Sequence, residues 1–232
     1  MSLWDTTQEA MLLLFSGDPG LWEIIGISFK TSLLAILIAS PIALLLAFAL
    51  ALGRFPGRRL LITLSNTMLS VPAVVVGLTL YILLSRQGPL GDWRLLFTQT
   101  AMILGQIVLA LPILIAMGHS ALQAADRRAW ETARTLGAGP VRAFFTLVRE
   151  VRFGLLAALL AAFGRIIAEV GASMMLGGNI LHHTRNIPTA IALETSKGEF
   201  AQGIALGMVL LLMAFALNAA LHQVQGAGRS FP

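Results

Sequence analysis

Apolar residues fall in five long runs separated by short polar stretches. The runs extend from near Ile27 to Leu52, from Leu60 to Leu84, from Thr98 to Met117, from Phe153 to Met175 and from Phe200 to Leu221. Each is long enough to cross a hydrocarbon core of about 30 Å at a rise of about 1.5 Å per residue. Backbone in lipid must satisfy its own hydrogen bonds, so the pattern predicts an all-α polytopic membrane protein with about five transmembrane helices. A further apolar stretch, Ala10 to Phe15, is too short to span and reads as an interfacial helix before Ser16-Gly17-Asp18-Pro19. Pro41, Pro72 and Pro112 lie inside apolar runs and predict kinks, either for helix fit alone or as hinges. The chain divides into an N-terminal external or interfacial segment (1–26), a membrane domain (27–221) and a tail (222–232), with no internal repeat.

Composition sharpens this picture. Of 232 residues, 57% are hydrophobic and only 12% are charged, against about 25% charged in soluble domains. Mean hydropathy is +0.83. The net charge of +5 reflects basic loops rather than a nucleic-acid footprint. Arg54, Arg58, Arg59, Arg127, Arg128, Arg134, Arg142, Arg149, Arg152 and Arg229 fall on one side of the five-span scheme. Lys30, Arg86, Arg94, Arg185 and Lys197 fall on the other. The basic excess predicts cytoplasmic Arg-rich loops, an external N-terminus and a cytoplasmic C-terminus. The first 18 residues carry Asp5, Glu9 and Asp18 and lack the basic start of a cleavable signal peptide. Absence of cysteine excludes a disulfide, a thiolate metal site and a cysteine nucleophile.

The loop of about 119–152 carries the sharpest pattern. Asp126 to Leu136 contains good helix formers without a breaker, with Asp126 at the cap position. Gly137-Ala138-Gly139-Pro140 stops that helix, and Pro140 suits the first turn of the next, Val141 to Val148. Small residues at Ala133, Gly137, Ala138 and Gly139 allow a partner to approach closely. On pattern alone, a basic loop against lipid headgroups fits equally well.

Glu131, Ala133 and Gly137 stand in the register of the EAA loop of ABC importer permeases, which this loop resembles. Thr132 replaces the first alanine, Leu147 takes the isoleucine position, and Arg149-Glu150 stands where Leu-Pro is usual. The resemblance implies a type I importer permease fold in which Glu131, Ala133, Leu136, Gly137 and Ala138 belong to a cytoplasmic coupling helix that docks on an ATPase. A longer resemblance, about Ile24 to Gln223, rests on Ser70–Gly77, Ser85–Gly91, Glu169–Ile180 and Thr189–Phe200. These segments are similar to the permeases of tungstate ABC importers. Molybdate permeases share the Glu-x-Gly-Ala and Gly-Asn-Ile features.

Arg165 and Glu169 sit four residues apart in the fourth run, on one face of a helix. Intramembrane charges face a bundle interior or a wet cavity. The pair either shapes a translocation path or compensates itself for helix fit. In the second case Arg165→Ala alone harms stability more than the double alanine variant. Gly177-Gly178 suggests a flexible gate at the outer end. Of the polar groups within spans (Ser65, Asn66, Thr67, Ser70, Gln106, Ser173), Ser70 and Ser173 are the leading path candidates, with Pro72 as the hinge. His182-His183 has no acidic residue within four positions, which disfavours a metal site. Arg185 and Lys197 are placed to meet an external binding protein.

These readings imply a non-catalytic permease subunit in a bacterial or archaeal cytoplasmic (inner) membrane. Its cargo is an oxyanion, tungstate first and molybdate second. The resemblance implies a second copy of the chain, two ATPase subunits, an external oxyanion-binding protein and surrounding lipid as partners, and no nucleic acid. The sequence has no Gly-x-x-x-x-Gly-Lys-Ser/Thr loop, so ATP and Mg belong to the separate ATPase and no cofactor belongs to this chain. An integral-membrane enzyme would need a nucleophile, acid pair or metal motif that the sequence lacks. A passive channel would have no use for the Glu131/Gly137 loop.

Overall fold

The computed structural model describes residues 3–125, 130, 132 and 135–229. They include the helices α1 (Leu3–Phe15), α2 (Pro19–Leu52), α3 (Arg58–Met68), α4 (Ala73–Leu84), α5 (Gln99–Ala124), α6 (Pro140–Glu150), α7 (Arg152–Ile167), α8 (Gly171–Gly177), α9 (Ile187–Lys197) and α10 (Phe200–Arg229). A 3-10 turn, Gly91–Trp93, lies between α4 and α5.

Three helices are long and apolar enough to cross a membrane unbroken: Pro19–Leu52, Gln99–Ala124 and Phe200–Ala220. The second and fourth predicted spans are instead helix pairs. α3 and α4 meet at 103°, and α7 and α8 at 62°. Counting each bent pair as one crossing gives the five that the apolar runs predict.

Asp18 accepts the Leu21 amide at 3.1 Å and starts α2 eight residues before Ile27. The helix has 34 residues, so it is about 50 Å long, well beyond the hydrocarbon core. Pro41 stays inside α2 and Pro112 inside α5. The Ser40 hydroxyl donates to the Ile36 carbonyl, so it does not satisfy the Leu37 carbonyl that Pro41 leaves free. A serine bond of this kind next to a proline favours a bend.

The centre of the fold is a small-residue seam. Ala35, Ala39 and Ala43 repeat every four residues on α2 and pack against Ala110 and Leu114 of α5 and Ala158, Ala162 and Ile166 of α7. Small side chains let backbones approach where lipid supplies no hydrophobic drive. α1 is more than an interfacial helix. Its Ala10 is buried in a cluster with Leu21, Ile24, Ala190, Ala205 and Leu206, which anchors it on α10. Outward-facing Leu37, Leu45, Leu211, Leu212 and Phe215 remain exposed, as an acyl-chain environment allows.

Candidate functional site

The first break lies at residues 69–72. Leu69, Ser70 and Val71 donate back three residues, to the carbonyls of Asn66, Thr67 and Met68 at 3.2, 3.0 and 3.3 Å. This tightening ends α3. Pro72 disfavours helical backbone at Val71 and caps α4, its carbonyl accepting the amides of Val75 and Val76 at 2.9 and 3.3 Å. The expected kink at Ser70-Val71-Pro72 is therefore a full break, with Ser70 and Pro72 exposed on it.

The second break lies at residues 168–170 and has no proline. α7 ends at Ile167, so Arg165 and Glu169 do not share a continuous helix face. The pair forms across the helix end. Arg165 Nη1 meets Glu169 Oε2 at 2.5 Å, and the Gly171 amide donates to Glu169 Oε1 at 2.9 Å. One carboxylate thus ties the last turn of α7 to the first residue of α8. Glu169 is buried, whereas the Arg165 side chain is 48% exposed. Solvent screening weakens the guanidinium contact more than the part-buried amide contact.

The second halves of the two broken spans touch. A Cβ on Gly77 would lie 2.9 Å from Ala172 Cα, and one on Gly171 would lie 2.6 Å from Val74 Cγ2. From the other side, a Cβ on Gly105 of α5 would meet Leu176 Cδ1 at 2.5 Å. α8 is therefore wedged between α4 and α5. The two breaks, Pro72 with Val74 and Glu169 with Gly171, come together there. Ser173 lies buried in the wedge, and its hydroxyl finds no partner among the described residues.

Gly177 and Gly178 sit in packed, hydrogen-bonded positions at the end of α8. Gly177 is packed against Met102 and Thr184, and the Thr184 hydroxyl donates to its carbonyl at 2.6 Å. Gly178, at φ +70°, ends α8 by donating to Met174 at 2.9 Å. Beyond it, His182 Nδ1 lies 2.5 Å from Glu23 Oε2 of α2. No group of three metal-ligating side chains occurs among the described residues. Arg185 is turned inward, 4.0 Å from buried Glu194, and Lys197 reaches the same carboxylate at 3.1 Å. Arg185 is thus committed within the chain, while Lys197 remains half exposed.

At the opposite end of α5 lies the 119–152 loop. Glu131 and Ala133 are outside the described residues, as is most of the predicted helix from Asp126. Trp130, Thr132 and Thr135 are helical. Leu136 is 82% exposed, Gly137 adopts φ +83°, and no atom of the described residues lies within 4 Å of a Cβ built on Gly137. Gly139 caps α6, with Pro140 in its first turn. α6 buries Leu147 against Ala47, Ala51 and Leu122. The Phe48 ring of α2 meets Phe144 at 4.8 Å and Trp130 at 5.5 Å, both edge-on. Beside this junction a cleft of about 870 Å³ opens between α3, α5 and α7, and Asn66, Ser120 and Gly154 are among its lining residues.

Residues 39–225 match the family of binding-protein-dependent transport system inner membrane components. The chain belongs to that family. It is a transport permease, a multi-pass protein of the inner membrane. It is 42% identical over 223 residues to the tungstate uptake system permease protein TupB of Campylobacter jejuni, an alignment covering 96% of this chain and 93% of that protein. It is 33% identical over 213 residues to the molybdenum transport system permease protein ModB of Escherichia coli, covering 85% and 93%. The backbone follows a chain of the inward-facing MetNI methionine ABC transporter with a TM-score of 0.63 at 20% identity, covering 97% of this chain and 99% of that one. That likeness establishes the ABC importer permease fold.

Of the residues singled out in the sequence of this permease, Pro72, Glu169 and Ser173 gather around the α4–α8 contact. Ser70 sits on the exposed rim of the first break, and Arg165 approaches from the end of α7. Sequence reasoning missed Glu23, Phe48 and Ser120. Glu23 and Phe48 meet residues distant in the chain and Ser120 shares a cleft with one, and helical periodicity carries no sign of such neighbours.

Proposed function

We propose that this permease is the membrane subunit of an ATP-driven importer whose cargo is a tetrahedral oxyanion, tungstate first. The observation that carries the cargo is the 42% identity to a tungstate uptake permease over 96% of this chain, against 33% over 85% for a molybdenum permease. In this reading two copies of the chain enclose one path, since closed twofold assemblies are the commonest. Two separate ATPase subunits supply ATP hydrolysis with Mg, and an external binding protein delivers the anion. Residues 27–221 form the membrane domain, the N-terminus is external and the C-terminus cytoplasmic, as the distribution of arginines favours.

The coupling element is the stretch with Glu131, Ala133, Leu136, Gly137 and Ala138. An exposed Leu136 beside a left-handed Gly137 supports this reading, because a large apolar side chain at a sharp bend suits insertion into a partner's cleft. The path runs past the two breaks, with Ser70, Pro72, Arg165, Glu169 and Ser173 around it. Broken spans are where membrane proteins turn backbone polar groups toward a transported solute.

Uptake of labelled tungstate into vesicles holding the permease, its ATPase and its binding protein tests the proposal. ATP-dependent uptake that molybdate inhibits only in excess, and sulfate not at all, is the expected result. Equal competition by molybdate would make the carrier a general one for this oxyanion class. Absence of ATP-dependent uptake of any oxyanion would refute the cargo.

A further inference from the structure

The cleft between α3, α5 and α7 has an unusual lining. Ala116, Ala121, Ala124, Gly154 and Ala157 keep it wide, and Asn66 and Ser120 contribute its polar side chains. Neither the Asn66 amide nor the Ser120 hydroxyl has a hydrogen-bond partner among the described residues. Together they present up to three donors, two from the amide and one from the hydroxyl. Among the described residues no charged side chain lines this cleft.

Asn66 sits near the end of α3, two residues before the first break. The start of the same helix lies in a second recess, of about 430 Å³, lined by Arg54, Arg58 and Arg59. Arg58 Nε donates to the Leu50 carbonyl at 2.5 Å, which leaves Arg54 and Arg59 as the freer cations there. Eight residues of helix separate Arg58 from Asn66, about 12 Å along the axis. Along α3 the cleft with its neutral donors therefore lies between the break and the basic recess.

We propose that Asn66 and Ser120 form a neutral hydrogen-bonding station for a tetrahedral dianion, between the break in the second span and the coupling-loop end of the permease. The inference rests on the oxyanion-importer reading. Donors without charge suit transit. A guanidinium inside the cleft would hold a dianion too strongly to release it, whereas conduction requires contacts weak enough to leave. The basic rim beyond then draws the anion out of the low-dielectric region.

The test uses the complete transporter, with ATPase and binding protein, in proteoliposomes. Asn66→Leu with Ser120→Ala should lower tungstate uptake about tenfold, the scale of losing hydrogen bonds to a charged group, while ATP hydrolysis stays near wild type. Ser120→Thr, which keeps the donor, should retain uptake. The chain has no cysteine, so Ser120→Cys places a single thiol in it. A membrane-impermeant anionic thiol reagent should label that thiol, and tungstate should slow the labelling. Wild-type uptake in the double variant would overturn the assignment of Asn66 and Ser120 alone. A thiol inaccessible to the reagent would overturn it too, by showing that lipid rather than water fills the cleft. No tungstate uptake by the wild-type complex would overturn the cargo reading and this inference with it.

Discussion

Glu169 accepts the Gly171 amide at 2.9 Å with one carboxylate oxygen while the other meets the Arg165 guanidinium. The contact with Gly171 changes what the Arg165/Glu169 pair predicts. A self-compensating ion pair makes the double alanine variant milder than Arg165→Ala. A carboxylate that also caps α8 reverses the order. Arg165→Ala should cost about 0–1 kcal/mol, because the guanidinium is half exposed. Glu169→Ala should cost about 1–2 kcal/mol by freeing a part-buried amide, with or without Arg165. Thermal unfolding of the three variants in one detergent decides between the two orders. A double variant more stable than Arg165→Ala would refute the staple.

The contact between the broken spans makes a second ordering. The Gly77 position faces the Ala172 backbone, which cannot move without shifting α8. The Gly105 position faces the tip of the Leu176 side chain, which can change rotamer. Gly77→Ala should therefore destabilise by about 1–3 kcal/mol, the usual cost of overpacking, and Gly105→Ala by less. In a Leu176→Ala background Gly105→Ala should cost nothing further, whereas Gly77→Ala should keep its full cost. Equal melting temperatures for the two single variants would contradict a wedge held by backbone contact.

The apolar runs that form the long helices and bent pairs, and the bend at Gly137, were legible in the sequence, because run length and the Gly137–Pro140 stop act locally. The breaks were not. Polar Ser65, Asn66 and Thr67 precede the first break and Glu169 lies in the second, but apolar residues resume directly after each, so neither reads as the end of a span. A proline at 72 predicts a bend, yet whether the helix restarts collinear or at 103° depends on what α4 packs against. At 168–170 the helix stops where the Glu169 side chain competes for backbone amides. That competition looks like an ordinary spacing of four in the sequence. The His182–Glu23 contact joins residues 159 apart, and only the folded chain brings them together.

Leu136 and Gly137 give a prediction about partner docking. Leu136 contributes almost nothing to the fold of this chain at 82% exposure, so Leu136→Glu should leave the melting temperature unchanged. It should nevertheless abolish co-purification of the ATPase subunit. Gly137→Val forces a β-branched residue into left-handed backbone, a strain of about 1–2 kcal/mol, with no clash to relieve. Uptake should fall with it, and Gly137→Asn should preserve more function, because asparagine tolerates this conformation. Full ATPase capture by Leu136→Glu would remove this bend from the coupling surface.

Phe48 links the loop to the body of the permease. Its ring sits edge-on to Phe144 and Trp130, while Ala47 and Ala51 on the same helix bury Leu147 and Leu122. Motion of the loop must therefore pass to α2 through aromatic contacts as well as through the covalent chain. Phe48→Ala should destabilise by about 2 kcal/mol, less than for a fully buried ring. The informative readout is the ratio of ATP hydrolysed to anion transported. A loosened joint should let the ATPase bind and turn over while uptake drops, so the ratio rises several-fold. Phe48→Leu keeps apolar volume but not the edge-on geometry, and should fall between. A variant that loses hydrolysis and uptake in equal proportion would assign Phe48 to stability alone.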